Sequence, residues 1–242
     1  MRFKDFIVKF LTFGFYDPKW RCNDCGKEIF SGEFFCESCE QNLPYNNKTV
    51  CNHCGREIES PSEYCSTCKE TLLSVDKSRS VFKYKKPISG LIKKAKYDNG
   101  RYILDYFAKK VANLYFSQFS GSEIVCSVPM SRKRLRKRGY NQSEILAKKV
   151  AERINVPFSD SIIKTKETKR QAKLKRSERL KNLTDSFKVK DKKAVCGKNV
   201  LLIDDVSTTG ATAEAVSVKL KKAGALRVFL ITVANVPNKD GY

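Results

Sequence analysis

Histidine is nearly absent from this chain of 242 residues, with His53 its single imidazole. That scarcity excludes chemistry built on histidine, so a reaction here must use carboxylates, lysines or groups of the substrate. Long apolar runs are missing as well. No stretch approaches the ~18 residues that mark a membrane-spanning helix, and no small-x-small cleavage site follows the apolar residues near the start. Neither a transmembrane segment nor a signal peptide is expected. Acidic residues are outnumbered, with 26 Asp and Glu against 48 Lys and Arg and a net charge of +22. The excess is uneven: residues 1–75 hold 9 cations against 11 anions, and residues 76–242 hold 39 against 15. The C-terminal part is therefore expected to attract polyanions. With 41% hydrophobic residues, the chain can bury the core of one α/β domain beside a smaller module.

Cysteine is abundant and patterned. Eight of the ten cysteines fall in C-x-x-C pairs, which reads as metal ligation in a reducing, hence cytoplasmic, compartment. Cys22, Cys25, Cys36 and Cys39 recur 29 residues later as Cys51, Cys54, Cys65 and Cys68. Their surroundings recur with them, C-G-K-E-I at 25–29 becoming C-G-R-E-I at 54–58. Each C-x-x-C turn brings two thiolates to one tetrahedral ion, so two structural zinc ions in a double zinc ribbon are expected over residues 21–75. The modules are too short to bury a core, and the metal must supply roughly 10–16 kcal/mol of folding free energy per site. Two successive sites are the simpler grouping, and a cross-braced pairing stays open. His53 sits within the third pair, where four cysteines already suffice, and is expected to face solvent. Cys126, in an apolar run, is expected in the core. Ahead of the ribbon, residues 1–20 place Phe3, Phe6, Ile7 and Phe10 at amphipathic-helix spacing. Docking on the protein's own body and contact by residues 3–13 with a membrane surface or a partner both remain open.

A polar stretch at about 74–80 reads as a linker into residues 76–242, where strands and helices alternate. Strands are expected at 81–84, 123–129, 200–203 and 227–236, with a strand-like start at 162. Helices are expected at 87–97, 101–116, 143–154 and from 213 to Gly224. This alternation implies α/β architecture with a mostly parallel, doubly wound sheet.

Two segments carry chemistry. In V-L-L-I-D-D-V-S-T-T-G-A-T (200–212), a buried strand ends in Asp204 and Asp205, then a small loop precedes a helix. Ligands of open α/β sheets sit at such strand ends. The backbone N–H groups of Ser207, Thr208, Thr209, Gly210, Ala211 and Thr212, with the threonine hydroxyls, form a nest for one phosphate. Adjacent carboxylates suit the vicinal hydroxyls of a ribose, so the pocket is read as one for a phosphorylated ribose. The second segment, 130–142, has six Arg or Lys in the seven positions from Arg132 to Arg138 and follows another strand. Read as a loop, it makes a second wall; read otherwise, it is a solvated basic helix start. Residues 164–182, polar and lysine-rich, suit a mobile flap, a nucleic-acid-contacting arm or a plain solvated loop.

Residues 200–212 resemble the phosphoribosyl-pyrophosphate (PRPP) signature of type I phosphoribosyltransferases. Other segments extend the resemblance to the ComF family of competence proteins with double zinc ribbons. They are Lys96-Tyr97, V-P at 128–129, R-x-x-x-R-G-Y-N-Q at 134–142, then Gln171, Leu174, Glu178-Arg179, Asn182 and Phe187. The resemblance implies a cytoplasmic bacterial protein of DNA uptake in natural transformation, working with competence-machinery proteins at the inner membrane. It implies PRPP with Mg²⁺ as ligand, Asp204 and Asp205 as the acids of the site, and Ser131 and Arg132 gripping pyrophosphate. Two activities stay open. One is a binding protein for PRPP and single-stranded DNA, with Phe82, Tyr84, Tyr97 and Tyr140 interleaving cations as stacking surfaces. The other is an enzyme moving a phosphoribosyl group from PRPP to an acceptor that the sequence does not name.

Overall fold

The computed structural model describes residues 21–30, 32–47, 49–58, 63–70, 74–97, 100–167 and 176–236. The amphipathic segment expected around Phe3 to Phe10, and Gln171 and Leu174, lie outside them. The chain divides into two compact units, Met1–Leu43 and Pro44–Tyr242.

In the first unit a knuckle closes by Gly26 N–H donating to the Cys22 carbonyl at 3.0 Å, and helix α1 (Glu37–Gln41) starts after Cys36, its N-cap. Phe35, Leu43 and Ile29 supply its buried side chains. The second unit begins with the equivalent knuckle, in which Gly55 N–H donates to Cys51 at 3.0 Å, and helix α2 (Ser66–Glu70).

The rest of the second unit is the α/β fold. Its strands are β1 (Lys77–Lys83), β2 (Ile124–Ser127), β3 (Phe158–Ser159), β4 (Ile162–Lys164), β5 (Phe187–Val189), β6 (Asn199–Ser207) and β7 (Arg227–Asn235). Its helices are α3 (Ile88–Lys96), α4 (Arg101–Gln118), α5 (Arg132–Arg138), α6 (Gln142–Ile154), α7 (Arg176–Thr184) and α8 (Ala211–Lys222). Five strands form one parallel sheet in the order β1-β7-β6-β2-β3, while β4 and β5 pair antiparallel by themselves. The sheet is doubly wound, as its apolar runs require. Val200, Leu201, Leu202 and Ile203 of β6 are all fully buried. Val200 and Leu202 join Leu230 of β7 and Ala213, Val216 and Leu220 of α8 in one core. Leu201 and Ile203 alternate to the other face, where α4 and α6 cover the sheet.

One expectation fails at the start. The stretch read as a linker is the first half of β1, four residues ahead of the expected strand. Its Ser78, Arg79 and Ser80 are polar yet buried, each with a partner that the sequence does not reveal. Ser80 and Thr232 hydroxyls bond at 2.7 Å across β1 and β7. Arg79 Nη1 donates to the Cys51 and Asn52 carbonyls at 3.2 and 3.1 Å, and its Nε to Gln118 Oε1 at 2.9 Å. Ser78 N–H donates to the His53 carbonyl at 2.7 Å. The second cysteine module thus covers the free edge of β1, a position that an open sheet must protect.

The two knuckle glycines therefore differ although their sequences match. Both have positive φ, 74° at Gly26 and 67° at Gly55. An added Cβ meets nothing within 4 Å at Gly26 but comes within 2.4 Å of the Ser78 carbonyl oxygen at Gly55. Gly26→Ala is expected to cost the ~1–2 kcal/mol of a left-handed L-residue, and Gly55→Ala a further ~1–3 kcal/mol of overpacking. Thermal unfolding of the two zinc-loaded variants checks this; an equal or greater loss for Gly26→Ala contradicts the docking of the second module on β1.

Candidate functional site

The ladder between β2 and β6 ends at Ser127 and Ile203, closed by Val128 N–H donating to the Ile203 carbonyl at 3.0 Å. On its other side β6 stays paired with β7 through Ser207 and Asn235. Asp204 and Asp205 thus lie in the strand, not beyond it, at the point where one edge becomes open. Asp205 is buried, 8% exposed, and Asp204 is half-buried.

Each carboxylate has its own partners. Ser143 Oγ donates to Asp204 Oδ1 at 2.7 Å, and the Asp205 N–H reaches the same oxygen at 2.9 Å. Lys96 Nζ lies 2.6 Å from Asp205 Oδ2. Gln142 Nε2 donates to that oxygen at 3.1 Å, and Val206 N–H donates to Oδ1 at 2.8 Å. Gln142 and Ser143 open α6, whose N-cap Asn141 accepts from Ser143 N–H, so the positive end of that helix also faces the acids. Lys96 closes α3. Burial, and then the charge of Asp205, push the Asp204 carboxyl up to about 7.

The loop after β6 turns at Gly210, with φ 76° and ψ −6°, directly ahead of α8. Gly210 offers no side chain to cap the helix, and Ala211 N–H donates to Thr209 Oγ1 at 3.4 Å, so among the described residues the other first-turn N–H groups of α8 are left for another acceptor. Thr208 and Thr209 are exposed, while Ser207, Ala211 and Thr212 are half-buried. Because β2 and β6 are parallel neighbours, the segment after β2 emerges at the same end of the sheet. That segment is helix α5 rather than a loop. Ser131 caps it, accepting from Arg134 N–H, and Gly139 with φ 82° stops it. Arg132 is exposed and Ser131 buried. The Ser131 hydroxyl donates to Glu167. That bond, and then nearby Arg134 and Lys164, hold the Glu167 carboxyl below its usual range.

Aromatic and cationic side chains pair beside this end. Arg101 lies 4.7 Å from the Tyr140 ring, Arg138 5.4 Å from Tyr97 and Lys94 5.6 Å from Tyr102. Tyr97 is 58% exposed. Phe82, expected among the stacking surfaces, is a fully buried core residue packed on Tyr45 and Phe107. Cys126 is buried as expected, its thiol pushed up to about 12 by that burial.

Eight of the other nine cysteines form two clusters, Cys22, Cys25, Cys36 and Cys39, and Cys51, Cys54, Cys65 and Cys68, with sulfurs within 4.8 Å of one another in each. The grouping is successive. Cys25 and Cys36 sulfurs are 3.8 Å apart, and Cys54 and Cys65 sulfurs 3.7 Å. A tetrahedron with Zn–S bonds of ~2.3 Å has edges of about 3.8 Å, so four-thiolate zinc fits both clusters. Burial acts against ionisation of Cys22, but the N–H groups of Cys36, Asp24 and Cys25 outweigh it and bring the thiol down to about 6. Burial and the neighbouring Cys51 and Cys65 instead push Cys54 up to about 12. His53 is outside both clusters and is half-buried, with Nε2 enclosed and unpartnered, rather than facing solvent.

Comparisons with known proteins follow the same division. The family described as "Phosphoribosyl transferase domain" matches residues 141–241, and "Double zinc ribbon domain" matches residues 15–69. "Competence protein F" of Haemophilus influenzae is 30% identical over 211 residues, covering 84% of this chain and 85% of that protein. The chain belongs to the ComF family. "Competence protein ComFC" of Bacillus subtilis is 30% identical over 142 residues, 58% of this chain and 56% of that one. Among solved structures, glutamine PRPP amidotransferase from B. subtilis aligns with a TM-score of 0.41 and 19% identity, over 56% of this chain and 27% of that one.

In this ComF chain the structure brings Asp204, Asp205 and the 207–212 loop to one strand end, with Ser131 and Arg132 after the neighbouring strand. Sequence reasoning missed Lys96, Gln142 and Ser143 as partners of the acids. Lys96 and Gln142 stand inside segments that mark the family, which was a signal; Ser143 had none. No helix among the described residues is long and apolar enough to cross a membrane.

Between the ~3.9 of an unfolded aspartate and the value near 7 in the fold, the folded state binds the extra proton. Stability therefore falls as pH rises through that window. Asp204→Asn is expected to raise the melting temperature above pH ~7, with the gain shrinking as pH falls toward ~4. Scanning calorimetry of variant and wild type across pH checks the trend; a gain independent of pH refutes the raised carboxyl.

Proposed function

We propose that this ComF-family protein binds PRPP, with Mg²⁺, and single-stranded DNA during DNA uptake in natural transformation. The reading places it in the cytoplasm, beside competence-machinery proteins at the inner membrane. The observation that carries the ligand is the partnered acid pair at the open end of β6, followed by the glycine-turned loop into α8. Carboxylates accept from the two ribose hydroxyls, and the loop N–H groups of residues 207–212 receive the 5-phosphate. Exposed Arg132 faces the pyrophosphate, and the buried Ser131 beside it holds the start of α5. The magnesium ion offsets pyrophosphate charge. The DNA part rests on α5, whose cations from Arg132 to Lys137 are all exposed, and on Tyr97 and Tyr140 beside it, which offer ring faces to unpaired bases.

A second reading has one observation in its favour. Asp204 takes its hydrogen bonds on Oδ1 and, among the described residues, keeps Oδ2 open at the strand end, and burial raises its carboxyl, as in groups poised for catalysis. In that reading the acids stabilise the positive charge that develops at the anomeric carbon while pyrophosphate departs to the basic wall. Pyrophosphate release from PRPP with candidate acceptors, run beside the double-Asp variant, separates transfer from binding.

PRPP with Mg²⁺ is expected to raise the melting temperature of the wild type, and Asp204→Asn with Asp205→Asn to abolish the shift. Equal shifts in both proteins would sink the pocket assignment. Affinity for single-stranded DNA is expected to fall linearly with salt on logarithmic axes, since phosphate contacts release counterions. A flat response in a salt titration by fluorescence anisotropy removes the DNA part.

A further inference from the structure

A ribose brings no positive charge, so two neighbouring carboxylates that hold it need a cation from elsewhere. Divalent ions with oxygen ligands often supply it. Here a side chain already stands beside the pair. Lys96 Nζ is 2.6 Å from Asp205 Oδ2, and its turn of α3 is pinned by the Tyr140 hydroxyl, which donates to the Ala95 carbonyl at 2.7 Å. Gln142 shares the same carboxylate oxygen, and its own Oε1 accepts from Arg138. Asp205 Oδ1 is taken by Val206 N–H, and Asp204 Oδ1 by Ser143 and the Asp205 N–H. Among the described residues no hydrogen bond reaches Asp204 Oδ2, which leaves that oxygen for a sugar hydroxyl. A divalent ion shared by the two carboxylates would meet the ammonium at close range, and the two cations exclude each other.

We propose that Lys96 is the built-in counter-cation of the diol-binding carboxylates, so that the pocket takes the ribose of a phosphorylated sugar with no divalent ion on Asp204 or Asp205. The inference rests on the phosphorylated-ribose reading of the pocket and adds the residue that balances it. Magnesium accompanying PRPP is then carried by the ligand's own phosphates. Lys96 acts through Asp205, which makes it a positioning residue.

Ribose 5-phosphate separates the two cation roles, because it has no pyrophosphate to bring an ion with it. Isothermal titration on the full, zinc-loaded chain, with and without Mg²⁺, reads the difference. Wild type is expected to bind with Kd values within about twofold of each other in the two conditions. Lys96→Met is expected to bind about tenfold more weakly without Mg²⁺, which is ~1.4 kcal/mol, and to recover when Mg²⁺ is added. Lys96→Arg keeps the charge and is expected to remain indifferent to Mg²⁺. A purely structural role for Lys96 would weaken Lys96→Met equally in both conditions. That result, an unchanged Lys96→Met, or wild-type binding that requires Mg²⁺ overturns the role of Lys96 and leaves the pocket standing. No binding by wild type in either condition fails the pocket itself, and the inference with it.

Discussion

Two adjacent carboxylates at the end of a buried strand repel each other and lose hydration, and the second unit is built to hold them there. The compensation comes from three places far apart in sequence. Lys96 closes α3, Gln142 and Ser143 open α6, and the strand supplies its own N–H groups at 205 and 206. Parallel pairing of β2 with β6 delivers α6 to the acids, and the Tyr140–Ala95 hydrogen bond delivers α3. Asp205 is charge-paired, whereas Asp204 keeps a carboxyl near 7. One acid is thus tied into the scaffold and the other retains an open oxygen, a division of labour suited to a site that must both stand and receive a ligand.

The cysteine repeat answers a different physical need. Neither module has apolar residues enough for a core, so metal–thiolate bonds substitute for burial. The second module also has a neighbour to serve. It lays the Cys51, Asn52 and His53 carbonyls against Arg79 and Ser78, closing the edge of β1 that β7 leaves free. A sequence duplication has therefore acquired two different settings, visible in the contrast between Gly26, where an added Cβ meets nothing within 4 Å among the described residues, and Gly55, pressed on backbone.

Most of the α/β layout was legible in the residues because its signals are local. The buried faces Ile88, Leu91, Ile92, Ala95 and Ala213, Val216, Leu220, Ala223 follow helical spacing, and all eight are buried. The apolar run 200–203 could be read as a strand covered on both faces. The misread start of β1 comes from polar side chains satisfied by distant partners. Ser78, Arg79 and Ser80 read as linker because Thr232, Gln118 and the Cys51 carbonyl lie far along the chain. The basic run at 132–138 read as a loop because it follows a strand as the 207–212 loop does, yet Ser131 and Gly139 cap and stop a short helix there. Phe82 read as a surface aromatic from its cationic neighbours, and strand alternation turned it inward.

By itself the sequence determined the metal ligands, the acid pair, the glycine-turned loop and the family, because each is a spacing of chemically distinctive groups along a few tens of residues. Tertiary structure alone decided which cysteines share a cluster, that the second cluster guards β1, and that Lys96, Gln142 and Ser143 stand around Asp204 and Asp205. The partners of the acids are ordinary polar side chains 61 to 109 residues away. No local pattern records them, since the partner of a lysine or a serine is chosen by where the sheet and its helices bring the chain together.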